Sequence, residues 1–150
     1  LRFGRPKVPN FTDPNKKFEI GKGDVLREGK DVTIIATGHL VWKAIEAAEV
    51  LLAKGINPEI INIHTIKPLD EKTVLESISK TKCVVTAEEH MVNGGLGDSI
   101  AQVLSKKMPT PMEYVAVNDS FGESGTGEEL LTKYNNFKKI NSYELLIFQL

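Results

Sequence analysis

The stretch "DVTIIATGHLVWKAIEAAEVLLAKGINPEIINIHTI" (residues 31–66) decides the predicted fold. It opens with a short run of β-branched residues that ends at Gly38, which predicts a buried strand. Apolar residues then recur at helical spacing until Gly55, a residue type that is common directly after a helix. This spacing puts Leu52 on the buried side of the helix and Lys43 on the side that faces water. A second β-branched run follows, and the order strand, helix, strand is typical of a βαβ unit with parallel strands.

The same alternation continues along the chain. Asp70 is a good N-cap for a second helix, and Asp98 stands at the first turn of a third. We therefore predict an α/β fold with a mostly parallel sheet that is covered by helices on both faces. The parallel strands are expected at about 32–37, 58–63, 82–88 and 112–117, and the later helices in "DEKTVLESISKT", "GDSIAQVLSKK", "GTGEELLTKY" and "SYELLIFQL".

The first 30 residues differ from the rest because they are polar and rich in proline, glycine and lysine. The prolines of "RPKVPNFTDPNKK" favour extended backbone, so we expect residues 1–30 to form an arm and linker and residues 31–150 to form the domain itself. A short strand is expected within "FEIGKGDVLREG". Because the chain begins at Leu1 and not at Met, we expect it to be a piece of a longer protein with a further domain upstream.

Composition argues against several classes of function. A formal net charge of −1 over 150 residues gives no reason to expect a nucleic acid or an anionic membrane as the main partner. The apolar runs are far shorter than the roughly 20 residues of a membrane-spanning helix. Cys83 is the single cysteine and lies in an apolar run, so we expect a buried thiol in a cytoplasmic protein.

The strongest candidates for chemistry lie in "AEEHMVNGGLGDS" (residues 87–99). Glu88, Glu89 and His90 end a predicted strand, which is where open α/β sheets place their sites, so they could supply acid and base groups. The alternative is that they line an interface or hold the following turn through hydrogen bonds, and we favour it. His39 and His64 are isolated in the sequence. We identify no catalytic residue and no metal ligand.

Three glycines follow this acidic run, at Gly94, Gly95 and Gly97. A strand before them and a helix after them is the setting of an anion-binding loop. The spacing is neither GxGxxG nor that of a P-loop, and the preceding glutamates would repel a phosphate. We therefore favour a sharp turn, in which at least one glycine has a positive φ and Gly97 permits close packing of helix against sheet.

Two arginines in the arm form a separate candidate site. Arg2 and Arg5 stand in "LRFGRP", where guanidinium groups beside a glycine-containing extended backbone suit bidentate recognition of a phosphate or carboxylate. The alternative from the residues alone is a pair of solvated charges.

A family resemblance adds weight to one of these candidates. The stretches "DVTIIATG", "HLVWKAIEAAEVLLAKGI", "IINIHTIKPLD", "VVTAEEHMVNGGLGDSIAQVL" and "YVAVND" occur in one order. This succession resembles the C-terminal domain of transketolase over roughly residues 1–134. The combination of "RPKVP" in an arm, "TIKPLD" after a strand, and Glu-Glu-His with "GGLG" after the next strand is specific.

The resemblance implies a three-layer α/β/α domain whose five-stranded mixed sheet has one antiparallel strand. The region "FEIGKGDVLREG" is the candidate for that strand. After "ELLTKY" the sequence "NNFKKINSYELLIFQL" departs from the family pattern, so the resemblance assigns no packing to the last predicted helix.

The resemblance also implies an activity for the whole enzyme, which is transfer of a two-carbon ketol unit between sugar phosphates. Thiamine diphosphate and Mg²⁺ would be bound by preceding domains, since the Gly-Asp-Gly and Asn motif that holds them does not occur here. We therefore expect no cofactor or metal site in this chain and no activity from it alone. Its partners would be the N-terminal transketolase domains or subunit, in a homodimer or a split heterotetramer.

One residue role follows from the resemblance. Arg5, which precedes Pro6, matches a family arginine that contacts the phosphate of the sugar substrate, and Arg2 has weaker support. The "EEHMVNGGLGDS" stretch matches a family loop that turns from strand to helix. Neither Glu88 nor Glu89 matches the glutamate that activates the cofactor.

Three alternatives remain at this point. The C-terminal domain is shared with 1-deoxyxylulose-5-phosphate synthase and with the β subunit of 2-oxo acid dehydrogenases, of which the latter has no substrate phosphate for an arginine to bind. A non-enzymatic flavodoxin-like binding module is the third alternative, and stabilisation by a nucleotide or flavin would favour it.

Overall fold

The computed structural model describes residues 7–134, in which strands and helices alternate. The predicted helix in "SYELLIFQL" lies outside these residues. The strands are β1 (Asp24–Arg27), β2 (Val32–Ala36), β3 (Pro58–Asn62), β4 (Val84–Met91) and β5 (Met112–Val117). The helices are α1 (Leu40–Ala53), α2 (Glu71–Thr81), α3 (Leu96–Lys107) and α4 (Gly127–Lys133).

The five strands form one sheet in the order β1-β3-β2-β4-β5. Strands β2 to β5 are mutually parallel, and β1 alone runs antiparallel, beside β3. The predicted parallel strands and the predicted antiparallel strand are therefore confirmed. Strand β4 is longer than expected because Met91 pairs with Val117 beyond an irregularity in the ladder.

Both faces of the sheet are covered, as the β-branched runs predict. Ile34 faces α1, and the next residue, Ile35, faces α2 and α3 on the opposite side. Both side chains are fully buried. Burying each such side chain contributes about 1.5–3 kcal/mol to the stability of the fold. Because one hydrophobic core lies on each face of the sheet, both cores stabilise the strands. The three-layer α/β/α arrangement is thus confirmed.

Local signals set the helix ends. Asp70 caps α2 by accepting from the backbone N–H of Thr73 at 3.3 Å, as expected from the sequence. The second carboxylate oxygen of Asp70 accepts from the N–H of Gly23, 3.0 Å away, and so joins the start of β1 to the start of α2. Gly55 follows α1 with a φ of 84°, which glycine adopts without strain.

Two assignments within α1 were wrong. Lys43 is 8% exposed rather than on the wet side, because its side chain lies over the Trp42 ring and its ammonium group reaches Glu46 at 2.8 Å. Leu52 is 36% exposed rather than buried, and Ala47 takes a buried position that the helical spacing did not single out.

Candidate functional site

The loops that follow β2, β3, β4 and β5 meet at one end of the sheet, because parallel strands all point the same way. We call this end the carboxyl edge. It comprises residues 37–39, 63–70, 88–95 and 118–125, together with residues 18–23, which lead into the antiparallel β1. All candidate acid and base residues of the described chain lie there.

The sheet has a topological switch point between β2 and β4, and we call the space between the loops that follow these two strands the crevice. Helix α1 leaves β2 towards one face of the sheet, and α3 leaves β4 towards the other. The two loops therefore diverge, as they do at the point where open α/β sheets bind their ligands.

Glu88 is the residue that holds the turn after β4. Its side chain is buried, and its two carboxylate oxygens accept from the backbone N–H groups of Leu96 and Gly97, each at 2.8 Å. These N–H groups belong to the first turn of α3, where a helix attracts negative charge. The anion at this helix N-terminus is thus a side chain of the protein itself.

The glycines of the same turn make this contact possible. A Cβ at Gly95 would collide with the Glu88 carboxylate, and one at Gly97 would collide with the Tyr114 ring. Gly94 has a φ of 82°, so the predicted positive φ is confirmed. The turn interpretation of this loop is correct, and Glu88 holds it through hydrogen bonds.

Glu89 points away from that turn and into the crevice. Its Oε2 lies 3.0 Å from Nδ1 of His39, which stands at the N-terminus of α1. His39, which is isolated in the sequence, therefore has a charged partner in the fold. Sequence spacing hides the pair because the two residues are 50 positions apart, whereas the sheet order places β2 and β4 side by side. Only a prediction of that strand order would have found it.

The other two histidines of the carboxyl edge make different contacts. His64 follows β3, with Nδ1 at 2.9 Å from the Thr65 hydroxyl, and the Phe18 ring centroid lies 4.5 Å from its own. His90 is exposed, and its Nδ1 lies 3.0 Å from the carbonyl oxygen of Met91. In a regular strand Glu88 and His90 would share one face, but the ladder is irregular between residues 87 and 91. Glu88 is consequently buried and His90 is exposed.

Burial and hydrogen bonding perturb one carboxylate of this edge. Burial alone would raise the pKa of Asp70, but hydrogen bonds from Gly23 and Thr73 outweigh it and hold the pKa below its ordinary value. The shift reflects a structural contact, since both donors belong to the fold.

The carboxyl edge does not fit a diphosphate group. The two N–H groups that would bind it at the start of α3 already bind Glu88, and Glu89 adds negative charge next to them. Within residues 7–134 no three His, Cys, Asp or Glu side chains lie close enough together to hold a metal ion.

The remaining candidates fall in other places. Arg2 and Arg5 lie outside the described residues. Cys83 is buried as expected, with its Sγ 3.3 Å from the carbonyl oxygen of Asp31. In the part of the chain that the structure describes, no helix has the length and apolar character needed to cross a bilayer.

Comparison with known proteins identifies the family. The profile described as "Transketolase, C-terminal domain" matches residues 21–136. The chain belongs to the transketolase C-terminal domain family. The matched range includes β1, whereas the predicted boundary between arm and domain lies near residue 30. That division stays a prediction.

Individual relatives agree with this assignment. The chain is 48% identical over 134 residues to a 6-deoxy-6-sulfo-D-fructose transketolase subunit of Clostridium sp., which covers 89% of this chain and 42% of the relative. It is 40% identical over 136 residues to 1-deoxy-D-xylulose-5-phosphate synthase of Caldanaerobacter subterraneus, which covers 89% of this chain and 22% of that enzyme.

A solved structure also matches the transketolase-type fold. A protein described as "split gene transketolase, inactive beta4 tetramer" superimposes with a TM-score of 0.89 at 46% identity, and the match covers 95% of this chain and 46% of the solved one. The chain thus spans less than half the length of each of these three proteins.

Proposed function

We propose that this chain is the C-terminal part of a transketolase, in which it supplies structure, an interface and a contact to the substrate phosphate. The whole enzyme transfers a two-carbon ketol unit from a ketose phosphate to an aldose phosphate. The observation that carries the proposal is 48% identity to a transketolase subunit along nearly the whole chain. A TM-score of 0.89 to a split gene transketolase supports it.

In this proposal the chemistry is shared between polypeptides. Thiamine diphosphate with Mg²⁺, bound by the preceding domains or by a partner subunit, supplies the electron sink for the ketol carbon. The carboxyl edge of this chain does not bind the cofactor, because Glu88 occupies the start of α3. The complete enzyme is a homodimer or a split heterotetramer in the cytoplasm.

A second candidate is 1-deoxyxylulose-5-phosphate synthase, which the 40% identity to such an enzyme supports. One assay separates the two. The complete protein, supplied with thiamine diphosphate and Mg²⁺, is given either a ketose phosphate and an aldose phosphate or pyruvate and glyceraldehyde 3-phosphate. Exchange of two carbons between the sugars supports transketolase, and release of carbon dioxide from pyruvate overturns it in favour of the synthase.

The name of one relative suggests a further substrate for the same assay. That relative is described as acting on 6-deoxy-6-sulfo-D-fructose, whose sulfonate is a tetrahedral anion in the place of a phosphate. A guanidinium fork binds either anion. Comparing kcat/KM for the sulfonated and the phosphorylated ketose therefore defines which anion the enzyme prefers.

Arg5 is the proposed contact to that anion, with Arg2 beside it in the arm. We expect Arg5→Ala to lower kcat/KM for the phosphorylated sugar roughly tenfold or more, since a hydrogen bond to a charged group contributes about 1.5–3 kcal/mol. If the contact is equal in ground and transition states, KM rises and kcat is unchanged. Arg5→Lys should recover only part of the loss, because it lacks the planar fork.

The control is Lys7→Ala, which removes an exposed charge from the same arm. It should leave kcat/KM nearly unchanged. The decisive comparison uses substrates with and without the phosphate. An equal loss for both after Arg5→Ala would show that Arg5 does not read the anion.

A further inference from the structure

Three large apolar side chains on the carboxyl edge are far more exposed than others of the described chain. Phe121 is 97% exposed, Ile20 75% and Phe18 64%, whereas Val50 and Leu52 on the outer side of α1 are below 40%. Exposed aromatic residues that gather on one side of a protein mark contact surfaces more often than a scattered leucine does.

These residues flank the crevice from both sides. Phe18 contacts His64, which follows β3, and Phe121 lies in the loop after β5. Strands β3 and β5 are three positions apart in the sheet, or about 14 Å. Both apolar sites therefore lie at the same end of the sheet, and one partner contributes roughly 800 Å² to a stable interface.

A polar pair lies between the two apolar sites. Oε2 of Glu89 lies within hydrogen-bond distance of Nδ1 of His39, and this contact fixes the orientation of the imidazole ring. The opposite nitrogen, Nε2, makes no hydrogen bond to any residue of the described chain. An oriented histidine with one unused nitrogen, which lies between the two aromatic anchors in the strand order, resembles the polar contact at the centre of a protein interface.

The path of the arm indicates which polypeptide covers this surface. Phe18 rests on His64, Gly21 lies against Pro68, and the N–H of Gly23 binds Asp70, so the arm enters the domain along the carboxyl edge. Residues 18–23 thus carry the chain over the carboxyl edge just before β1, and further back Phe11 packs against the core on the α1 face. This chain covers only 42% and 46% of two of those relatives.

We infer that the carboxyl edge is the surface on which this domain docks against the part of the enzyme that precedes it. Phe18, Ile20 and Phe121 are the apolar anchors, and His39, held by Glu89, is the central polar contact. The partner surface supplies apolar pockets for the anchors and an N–H or O–H group for Nε2 of His39. The inference rests on the proposed function, because it requires the preceding part to be present.

Photochemical cross-linking in the complete protein tests the inference. The photoreactive residue benzoylphenylalanine is placed at Phe18, at Phe121 or, as the matched control, at Val50 on the outer side of α1. Mass spectrometry then identifies the linked peptides. We expect links from positions 18 and 121 to peptides that precede this domain, and no comparable link from position 50.

A charge substitution sharpens the same assay. Ile20→Asp should lower the yield of cross-links from position 121 roughly fivefold or more, as loss of an interface anchor does, whereas Val50→Asp should leave it nearly unchanged. Links from 18 and 121 to a second copy of this domain, equal yields from position 50, or no links at all would each overturn the inference.

Failure of the inference and failure of the proposed function give different results. Cross-linking is read by mass and requires no turnover. If two-carbon transfer is observed without the expected cross-links, the docking surface is rejected and the proposed function stands. If the expected cross-links form in a protein that shows no two-carbon transfer, the proposed function is rejected and the docking surface stands.

Discussion

The two ends of the sheet each bury one glutamate and stabilise it by different means. At the amino edge, where the parallel strands begin, Glu59 is completely buried and pairs with the ammonium group of Lys80 at 2.6 Å. At the carboxyl edge, Glu88 is equally inaccessible but has backbone N–H groups of α3 as its partners.

The difference lies in what each partner can do when the glutamate is changed. Lys80 is 46% exposed, so its charge can turn into water if Glu59 is lost. The N–H groups of Leu96 and Gly97 belong to a fixed helix turn and lose their partner with Glu88. Glu59 accepts one longer backbone bond, from the N–H of Gly29 at 3.3 Å, whereas both oxygens of Glu88 accept backbone bonds at 2.8 Å, so the carboxyl edge is the more demanding of the two.

The largest effect is expected from Gly95→Ala. The added Cβ would displace the Glu88 carboxylate, so the variant combines overpacking with loss of charged hydrogen bonds. We expect a loss of about 3–5 kcal/mol in the free energy of unfolding, measured by chemical denaturation. In a Glu88→Ala background the same Gly95→Ala change should cost much less, because the atoms it collides with are absent.

Gly94→Ala is the control for that experiment in the same turn. Gly94 has a positive φ but no neighbour within reach of a Cβ, so only the backbone strain of about 1–2 kcal/mol should appear. Two results together would contradict a role for Glu88 in holding the turn. Gly94→Ala and Gly95→Ala would lower the free energy of unfolding equally, and Gly95→Ala would cost the same in the Glu88→Ala background as in the original protein.

The next effect compares the two buried glutamates directly. Glu88→Gln should cost about 2–3 kcal/mol, because an amide has one acceptor oxygen and directs its NH₂ group at a backbone donor. Glu59→Gln should cost less, since Lys80 can turn into water. Glu89→Gln, at an exposed pair, should change stability by less than about 1 kcal/mol. A larger loss at Glu59 than at Glu88 would reverse the comparison.

Lys80→Met tests the Glu59–Lys80 pair at the amino edge by removing the lysine instead of the glutamate. Breaking a fully buried pair costs several kcal/mol, but Lys80 is half exposed, so the expected loss is reduced to about 2 kcal/mol. Lys72→Met removes an exposed helical pair with Glu76 and should cost less than about 0.5 kcal/mol. A Lys80→Met protein as stable as the Lys72→Met protein would show that Glu59 needs no counter-charge.

Lowering the pH should produce the smallest and most gradual change in the free energy of unfolding. Burial would raise the pKa of Glu59, but hydrogen bonds from Lys80 and from the N–H of Gly29 outweigh it, so the pKa is lowered in the fold. A lowered folded-state pKa adds stability above the unfolded pKa of about 4.3, and this stability is lost as pH falls through the folded value. Denaturation between about pH 3 and pH 6 should show this slope, and Glu59→Gln should flatten it. An unchanged slope in the variant would contradict the assignment.

Much of the fold was predictable because its signals are local. The βαβ pattern of residues 31–66, the Asp70 cap and the positive φ at Gly94 all follow from residues close in sequence. The site was less predictable. The turn role of Gly94 to Gly97 could be inferred, but the pairing of Glu89 with His39 depends on which strands are neighbours.

The sequence alone determined which segments are strands and helices and that the sheet is mainly parallel, since hydrophobic period and capping are properties of short segments. The tertiary structure decided which charges are buried and what neutralises them. Nothing in "PEIINI" distinguishes Glu59 as a buried residue until Lys80 is brought to it from α2, 21 positions later. Glu88 likewise becomes the anion of α3 only when β4 and the glycine turn are folded, because an ionic contact depends on distance in space and not along the chain.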